Sequence, residues 1–186
     1  VVHITANSFI YLGNDNHQEE LTKEYRILNK ISKDYDKTDY YRVKSNLTNM
    51  LMNNGMVMKY HNLDHFTSLT GKDTLNTLKK LGYGSQWVKT YSRGSTLFMD
   101  AILGNGYYLA DDDYNNPYFE LVKAYGGANL YKLKNMPSFG VIINKNDTVL
   151  DKKNSFEIAN SLYQNILDTE DTIFEIDNKL SLDNIK

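Results

Sequence analysis

The sequence predicts a mixed α/β fold, in which a mixed β-sheet packs with about four helices. Two observations predict this class. Segments with apolar residues at helical spacing occur between short segments in which apolar and polar residues alternate. These segments do not follow a strict strand–helix–strand order, which argues against a purely parallel sheet. The 186 residues contain no internal repeat or low-complexity linker, so we expect residues 1–186 to form a single domain.

Four segments have helical spacing. The first runs from about residue 17 to residue 34 and has one apolar face. The second starts at a cap on Asp73 or Thr74, and the third covers about residues 96–103; each ends at a glycine. The fourth follows Asn154 as N-cap, with an acid three residues later. The residues expected to be buried are Leu21, Tyr25, Leu28 and Ile31, then Leu75, Leu78 and Leu81, then Leu97, Phe98, Ala101 and Ile102, and finally Ile158, Leu162 and Ile166.

Strands are predicted where short runs of aromatic and β-branched residues alternate with polar ones. These runs are residues 40–44, 56–61, 107–110, 130–133, 139–143 and 172–177. The Asn-Asn-Gly step at residues 53–55 is typical of a turn. We expect loops at the glycine pairs of residues 82–84 and 104–106, and in the polar stretch 111–117.

Composition excludes several function classes. A net charge of −2 gives no reason to expect nucleic acid or an anionic membrane surface as a partner. The absence of cysteine removes disulfides, thiolate nucleophiles and cysteine-based metal sites. No apolar run is long enough for a transmembrane helix. The chain begins with Val1 and lacks a signal-peptide pattern, which predicts a piece cut from a longer protein.

Metal and catalytic motifs are weak. His61 and His65 are four residues apart, but the surrounding pattern predicts strand and loop rather than the helix that such a pair needs. The acidic run at residues 111–113 lacks the glycine and glutamate of a calcium-binding loop. Neither a nucleophile elbow nor a phosphate-binding loop is present. We therefore assign no catalytic residue, no metal ligand and no cofactor.

Tyrosine is the unusual component, with 15 residues in the chain. Its flat apolar ring and its hydroxyl suit sugars and peptides, but they also suit half-buried strand positions. Polar side chains are dense beside two of the predicted strands. The candidate ligand-binding residues are accordingly Tyr41, Arg42, Tyr60, His61 and Ser68.

A series of short patterns occurs in a fixed order along the chain. The patterns are Tyr41-Arg42-Val43, Asn54-Gly55-Met56, Tyr60-His61, Phe66-Thr67-Ser68, Leu81-Gly82-Tyr83, Tyr91, Gly94 with Thr96, the Asp-Ala-Ile-Leu-Gly of residues 100–104, Tyr107-Tyr108-Leu109, Tyr131-Lys132-Leu133 and the Met-Pro-Ser-Phe-Gly-Val of residues 136–141. Because these patterns occur in this order, the sequence resembles the YfhO family of bacterial polytopic membrane proteins. The likeness covers most of the chain, from about residue 40 to residue 165.

The resemblance implies a function at the bacterial cell envelope. Members of the family resemble GT-C glycosyltransferases, which carry many membrane helices and a large domain outside the membrane. They are associated with adding sugars from a polyprenyl-phosphate donor to polymers such as lipoteichoic acid. The chain would then be the extracytoplasmic domain of such a protein. Its expected partners are the protein's own transmembrane helices, the envelope polymer and a polyprenyl-linked sugar.

The role of such a domain stays open between two classes. It is expected to be an accessory domain that positions the acceptor polymer, because no residue of the chain matches the catalytic loop of GT-C enzymes. The alternative is a non-enzymatic surface module that binds glycan or peptide, which the tyrosine content favours. A secreted hydrolase ranks last, because no pair among the 23 acids stands out.

Overall fold

The computed structural model describes residues 17–34, 40–47, 53, 55–56, 59–110, 113–137, 151–152 and 154–175. These residues form four helices and seven strands. The helices are α1 (His17–Asp34), α2 (Lys72–Lys80), α3 (Leu97–Ile102) and α4 (Ser155–Leu167). The strands are β1 (Val43–Ser45), β2 (His65–Phe66), β3 (Tyr83–Gln86), β4 (Lys89–Gly94), β5 (Tyr107–Ala110), β6 (Phe119–Ala124) and β7 (Asn129–Leu133). The mixed α/β class predicted from the sequence is confirmed.

A four-stranded mixed sheet forms the first layer, in the order β1-β5-β7-β6. Strand β1 is parallel to β5, and the other two pairings are antiparallel. Helix α1 packs on one face of this sheet, where Leu28 and Ile31 meet Val43, Leu109 and Leu130 in one buried cluster. Burial of these side chains removes apolar surface from water and holds the helix on the sheet.

The predicted extent of α1 is confirmed, but its buried face is partly different. Leu28 and Ile31 are buried as predicted, together with Ile27. Tyr25 is exposed, because the face that meets the sheet is centred on the Ile27, Leu28 and Ile31 row. Asp34 at the end of the helix accepts a hydrogen bond from Lys123 of β6, which joins the helix to the edge of the sheet.

A three-stranded antiparallel sheet, in the order β2-β4-β3, forms a second layer. The sequence predicted a loop at residues 82–84, and this is wrong from Tyr83 onward, because Tyr83 begins β3 and pairs with Gly94. Helices α2, α3 and α4 pack with this sheet around Leu78, Tyr83, Met99 and Ile158.

The sequence predicted N-caps for two of these helices, and one of the two predictions is confirmed. The Asn154 side chain accepts hydrogen bonds from the backbone N–H groups of Phe156 and Glu157, as predicted for α4. Thr96 caps α3. The predicted cap of α2 is wrong, because Gly71 occupies that position without a side-chain hydrogen bond.

The buried face of α3 also differs from the prediction. Leu97, Ala101 and Ile102 are only half-buried, whereas Met99 and Asp100 are buried. A prediction of burial from apolar spacing leaves out an acid such as Asp100, because acids are rarely buried unless they are paired. Asp100 has such partners, as described below.

Two predicted strands are not strands where the structure describes them. Within residues 56–61, Met56 is helical and Lys59 has a positive φ of 60°, a conformation that interrupts an extended chain. Residues 172–175 are bonded to α4 instead of to a sheet, because the Asn160 side chain accepts from the N–H groups of Ile173 and Phe174. The predicted strand 139–143 and residues 111–112 lie outside the described residues.

Among the helices in the described part of the chain, none is long and apolar enough to cross a bilayer.

Candidate binding pocket

A recessed pocket of about 200 Å³ lies between the second face of the four-stranded sheet and the start of α3. Strand alternation explains which side chains reach it. Val43 points toward α1, so Lys44 points to the opposite face, as does its register partner Tyr108 on β5. A larger depression of about 510 Å³ borders α2 and is lined by polar and charged residues, including Asp73 and Lys80.

Asp100 is the polar centre of the pocket. Its Oδ2 atom lies 2.7 Å from Nζ of Lys44, and its Oδ1 atom accepts hydrogen bonds from the Tyr83 hydroxyl at 2.9 Å and from the Asn105 amide at 2.9 Å. Lys44 Nζ also donates to the Gly94 carbonyl at 3.1 Å. The carboxylate thus connects β1, β3 and the loop after α3, and it meets the requirement that a buried charge be paired and hydrogen-bonded.

Asn105 forms part of the pocket lining and has unused hydrogen-bonding capacity. It is 2% exposed, and its Nδ2 group donates both to Asp100 and, at 3.3 Å, to the Tyr83 hydroxyl. The hydroxyl proton of Tyr83 is committed to Asp100, so the amide nitrogen is the atom that must face these two oxygens. The Asn105 Oδ1 atom has no hydrogen-bond partner within the described residues. Such a buried acceptor carries a desolvation cost that a hydroxyl donor would relieve.

Aromatic rings make up the opposite wall. The Tyr114 ring lies 4.5 Å from the ring of Tyr108 and 5.3 Å from that of Phe119, measured between centroids. The Tyr114 backbone N–H donates to the hydroxyl of Tyr131 on β7, which anchors the loop between β5 and β6 against the sheet. Asn116 donates to the Tyr114 hydroxyl at 3.0 Å and adds an amide to the same wall.

A tight turn brings Ser95 to the pocket rim. Gly94 has a φ of +89°, and a Cβ at this position would lie 2.6 Å from the Gly82 carbonyl oxygen. Only glycine fits this approach. The next residue, Ser95, donates its backbone N–H to the same carbonyl at 2.8 Å. The turn therefore fixes the position at which β4 leaves the sheet and α3 begins.

The electrostatics of the pocket floor favour a neutral Tyr83. Burial raises the pKa of the Tyr83 hydroxyl well above its ordinary value of 10.0, and the charge of Asp100 and the hydrogen bond to it add to this effect. At neutral pH the phenol is therefore a hydrogen-bond donor that holds Asp100, not a base.

The candidate residues Tyr41 and Arg42 lie behind the pocket. The Arg42 guanidinium donates to the carbonyl of Leu103 at the end of α3, and the Arg42 backbone N–H donates to Gly104. The ring of Tyr41 lies against Gly106, where an added Cβ would come within 3.0 Å of it. The two side chains thus hold both neighbours of Asn105 in place without lining the pocket.

The other three candidates lie in different surroundings. Tyr60 is buried in the cluster under α1, and its pKa is raised chiefly by burial and further by the charge of Asp64. His61 is exposed, and its backbone carbonyl accepts from Val43 at 2.7 Å. Ser68 is exposed in the turn after β2. The structure places 41–43 beside 60–61, and ligand binding by the five residues stays a prediction.

The hydrogen bonds of His65 argue against a metal site formed by His61 and His65. His65 uses both ring nitrogens, one toward Thr90 at 2.6 Å and the other toward Thr70 at 3.0 Å. A metal at His65 would have to displace one of these partners. Within the described residues no group of three or more potential metal ligands is found.

Most residues of the pocket were missed from the sequence. Asp100 and Asn105 lie in a segment that shows only an apolar helix face and a glycine stop. Tyr107 and Tyr108 lie in a predicted strand, and Tyr114 lies in a predicted polar loop. The one signal that could have found them is the density of tyrosine, with Tyr107, Tyr108 and Tyr114 within eight residues of sequence.

The fold and the pocket define the class of the molecule: a mixed α/β domain with an aromatic-walled pocket over a fixed ion pair. The family model of the bacterial membrane protein YfhO matches residues 1–186, the full length of the chain. The chain therefore belongs to the YfhO family of bacterial membrane proteins. No curated protein and no solved structure matches it.

Proposed function

We propose that this chain is an extracytoplasmic accessory domain of a membrane-embedded, glycosyltransferase-like protein. In this proposal the domain positions a cell-envelope acceptor polymer such as lipoteichoic acid, and the transfer reaction takes place elsewhere in the protein. The pocket beside Asp100 holds one sugar or polyol unit of the acceptor. Membership of a bacterial membrane protein family supports the setting, and the pocket supports the binding role.

The observation that carries the proposal is the pairing of an aromatic wall with fixed polar groups. Rings of Tyr108, Tyr114 and Phe119 offer flat apolar surface to the C–H face of a sugar ring. On the other side, Lys44 offers a donor for hydroxyl groups, and Asn105 is part of the lining. A pocket that combines apolar walls with a few oriented polar groups is typical of small-ligand recognition.

The size of the pocket suits a single ring. At roughly 30 Å³ per water molecule, 200 Å³ holds about seven waters, the space of one pyranose unit. The pocket is open on one side, so a sugar or glycerol unit can enter while the polymer continues outside.

The pocket does not have the arrangement of a glycosidase. Asp100 is the one carboxyl group among the described residues that line it. Glycoside hydrolysis commonly uses two carboxyl groups on either side of the bond. Asp100 is also committed to three hydrogen-bond donors. This favours binding over hydrolysis.

The direct test is a binding titration of the chain with a polyglycerol-phosphate polymer and with methyl hexosides, by calorimetry and by NMR. We expect resonances of Tyr108 and Tyr114 to shift on addition of at least one of these ligands. Tyr114→Ala should weaken binding about tenfold, since it removes one stacking ring. Tyr118→Ala is the matched control, because Tyr118 is exposed and lies outside the pocket lining.

A second experiment tests whether the chain is an accessory domain or an enzyme. Incubation of the chain with a polyprenyl-phosphate sugar and the polymer should yield no transfer product. Turnover by the chain alone would contradict the accessory role. The absence of binding to every polymer and hexoside tested would contradict the acceptor-binding role, provided that circular dichroism shows a folded protein.

The surface binding module remains the alternative, and the same pocket favours it. It is distinguished by a comparison of the chain with the complete membrane protein. An accessory domain should make sugar transfer by the complete protein depend on Tyr114, whereas a separate binding module should bind polymer and leave transfer unchanged when Tyr114 is replaced.

A further inference from the structure

Three large apolar side chains are exposed together at one end of the three-stranded sheet. Trp87, Leu69 and Phe66 are 78%, 92% and 42% exposed. Trp87 lies at the tip of the β3–β4 hairpin, Phe66 ends β2, and Leu69 lies in the turn that follows β2. We call these three residues the apolar tip.

Hydrogen bonds hold the two turns of the apolar tip side by side. The Thr67 backbone N–H donates to the carbonyl of Val88, next to Trp87. Asn53 bonds both the N–H and the carbonyl of Phe66, at 2.8 and 3.0 Å. The rings of Phe66 and Trp87 are 6.5 Å apart between centroids. The tip is therefore a defined surface and not a set of unrelated exposed residues.

The backbone at Trp87 is in a conformation that its side chain does not favour. Gln86 pairs with Lys89, so Trp87 and Val88 form a two-residue hairpin loop, and Trp87 has a φ of 56°. Glycine or asparagine usually occupies a loop position with positive φ. Among the described residues, the ring contact given for this exposed aromatic is the one with Phe66. Retention of strain at an exposed site is typical of a functional position.

The stretch of sequence that contains the tip has more basic than acidic residues, although the whole chain has a net charge of −2. Residues 59–94 contain six basic and two acidic residues: Lys59, Lys72, Lys79, Lys80, Lys89 and Arg93 against Asp64 and Asp73. Lys89 lies directly at the tip, with its Nζ atom 5.6 Å from the centre of the Phe66 ring.

We propose that the apolar tip inserts into the interfacial region of a phospholipid bilayer that contains anionic lipid. Tryptophan is enriched at the level of lipid headgroups, where its apolar ring and its N–H group are both accommodated. Leu69 and Phe66 add apolar area that reaches the acyl boundary, and Lys89 beside the Phe66 ring attracts anionic headgroups.

A bilayer fits the tip better than a second copy of the chain. The tip is formed by two turns at the end of a narrow sheet, and three side chains offer far less area than a stable protein–protein interface needs. Shallow insertion into lipid needs only a few such side chains together with basic charge. The chain also belongs to a membrane protein family, so a bilayer is close by.

Trp87 is the only tryptophan of the chain and therefore reports on the tip directly. The experiment mixes the full chain with vesicles of equal parts phosphatidylcholine and phosphatidylglycerol, and separately with phosphatidylcholine alone. We expect a blue shift of tryptophan emission, quenching by brominated acyl chains, and sedimentation with the anionic vesicles. High salt and the neutral vesicles should weaken the effect, because the attraction of Lys89 to anionic headgroups is screened by salt and absent with neutral lipid.

Two variants distinguish insertion of the apolar tip from nonspecific adsorption to vesicles. Leu69→Ser keeps the fluorescent reporter and should lower vesicle partitioning about tenfold. Leu121→Ser is the matched control, since Leu121 is an exposed leucine on β6 and its replacement should leave partitioning unchanged. Unchanged Trp87 emission with anionic vesicles would overturn the proposal. So would equal effects of the two variants, or a concentration-dependent blue shift without lipid, which would indicate self-association.

Discussion

Lys44 Nζ lies 2.7 Å from Oδ2 of Asp100, and this ion pair joins β1 of the four-stranded sheet to α3. Through the Tyr83 hydroxyl the same carboxylate is bonded to β3 of the other sheet. The pocket floor and the junction between the two sheets are thus made of the same atoms. Stability and binding are therefore expected to depend on the same residues.

Removal of the Asp100 charge should destabilise the fold. Asp100→Asn leaves Lys44, which is mostly buried, without its counter-charge, and we expect the free energy of unfolding to fall by about 2–3 kcal/mol in urea denaturation. In the Asp100→Asn protein, Lys44→Met should lower the free energy of unfolding by less than it does in the wild type, because it then also removes an uncompensated charge. Additive effects of the two substitutions would show that the pair is not coupled.

Alkaline pH should destabilise the protein through Tyr83. Its pKa is raised above 10.0 in the fold, so above that pH the unfolded chain loses a phenolic proton that the folded chain keeps. The stabilisation is complete below pH 10 and falls as pH rises further, by roughly 1 kcal/mol per pH unit. Tyr60, with its raised pKa, contributes in the same direction.

Denaturation curves from neutral pH to above pH 10 measure this dependence. Tyr83→Phe should flatten the alkaline part of the curve, although it lowers stability at neutral pH. Tyr118→Phe is the control, because Tyr118 is exposed. A Tyr83→Phe protein with the wild-type slope would contradict the assignment.

The N-cap of α4 offers a test of local stability. Asn154→Ala removes the acceptor of the Phe156 and Glu157 N–H groups and should cost about 1 kcal/mol in thermal or urea unfolding. Asn154→Asp keeps an acceptor at the same place and should retain most of the stability. Equal losses in the two variants would mean that the cap contributes little.

The strain at Trp87 can be measured apart from lipid binding. Trp87→Gly should leave the free energy of unfolding within about 1 kcal/mol of the wild type, because glycine tolerates a φ of 56°. Trp87→Val also removes the indole but places a β-branched residue at this φ, and it should be the less stable of the two. The reverse order of stability would show that the backbone at this position is not strained.

Local patterns were sufficient for some elements. The extent of α1, the stop at Gly104 after α3 and the Asn154 cap each depend on residues a few positions apart, and the structure has all three. Strand β2, the β3–β4 hairpin and β6 were missed. Strand β6 is largely exposed, so its sequence has no burial pattern, and it is a strand because its backbone pairs with β7.

The amino-acid order by itself determined the family, the mixed α/β class and the helices with strong periodicity, because these depend on spacing within a few turns of chain. Only the tertiary structure decided which polar residues meet. Lys44, Tyr83, Asp100 and Asn105 are up to 61 positions apart, and none is distinctive alone. The two sheets pack around α3 and bury the Asp100 carboxylate. A buried charge needs hydrogen-bond partners, and donors from three separate segments supply them.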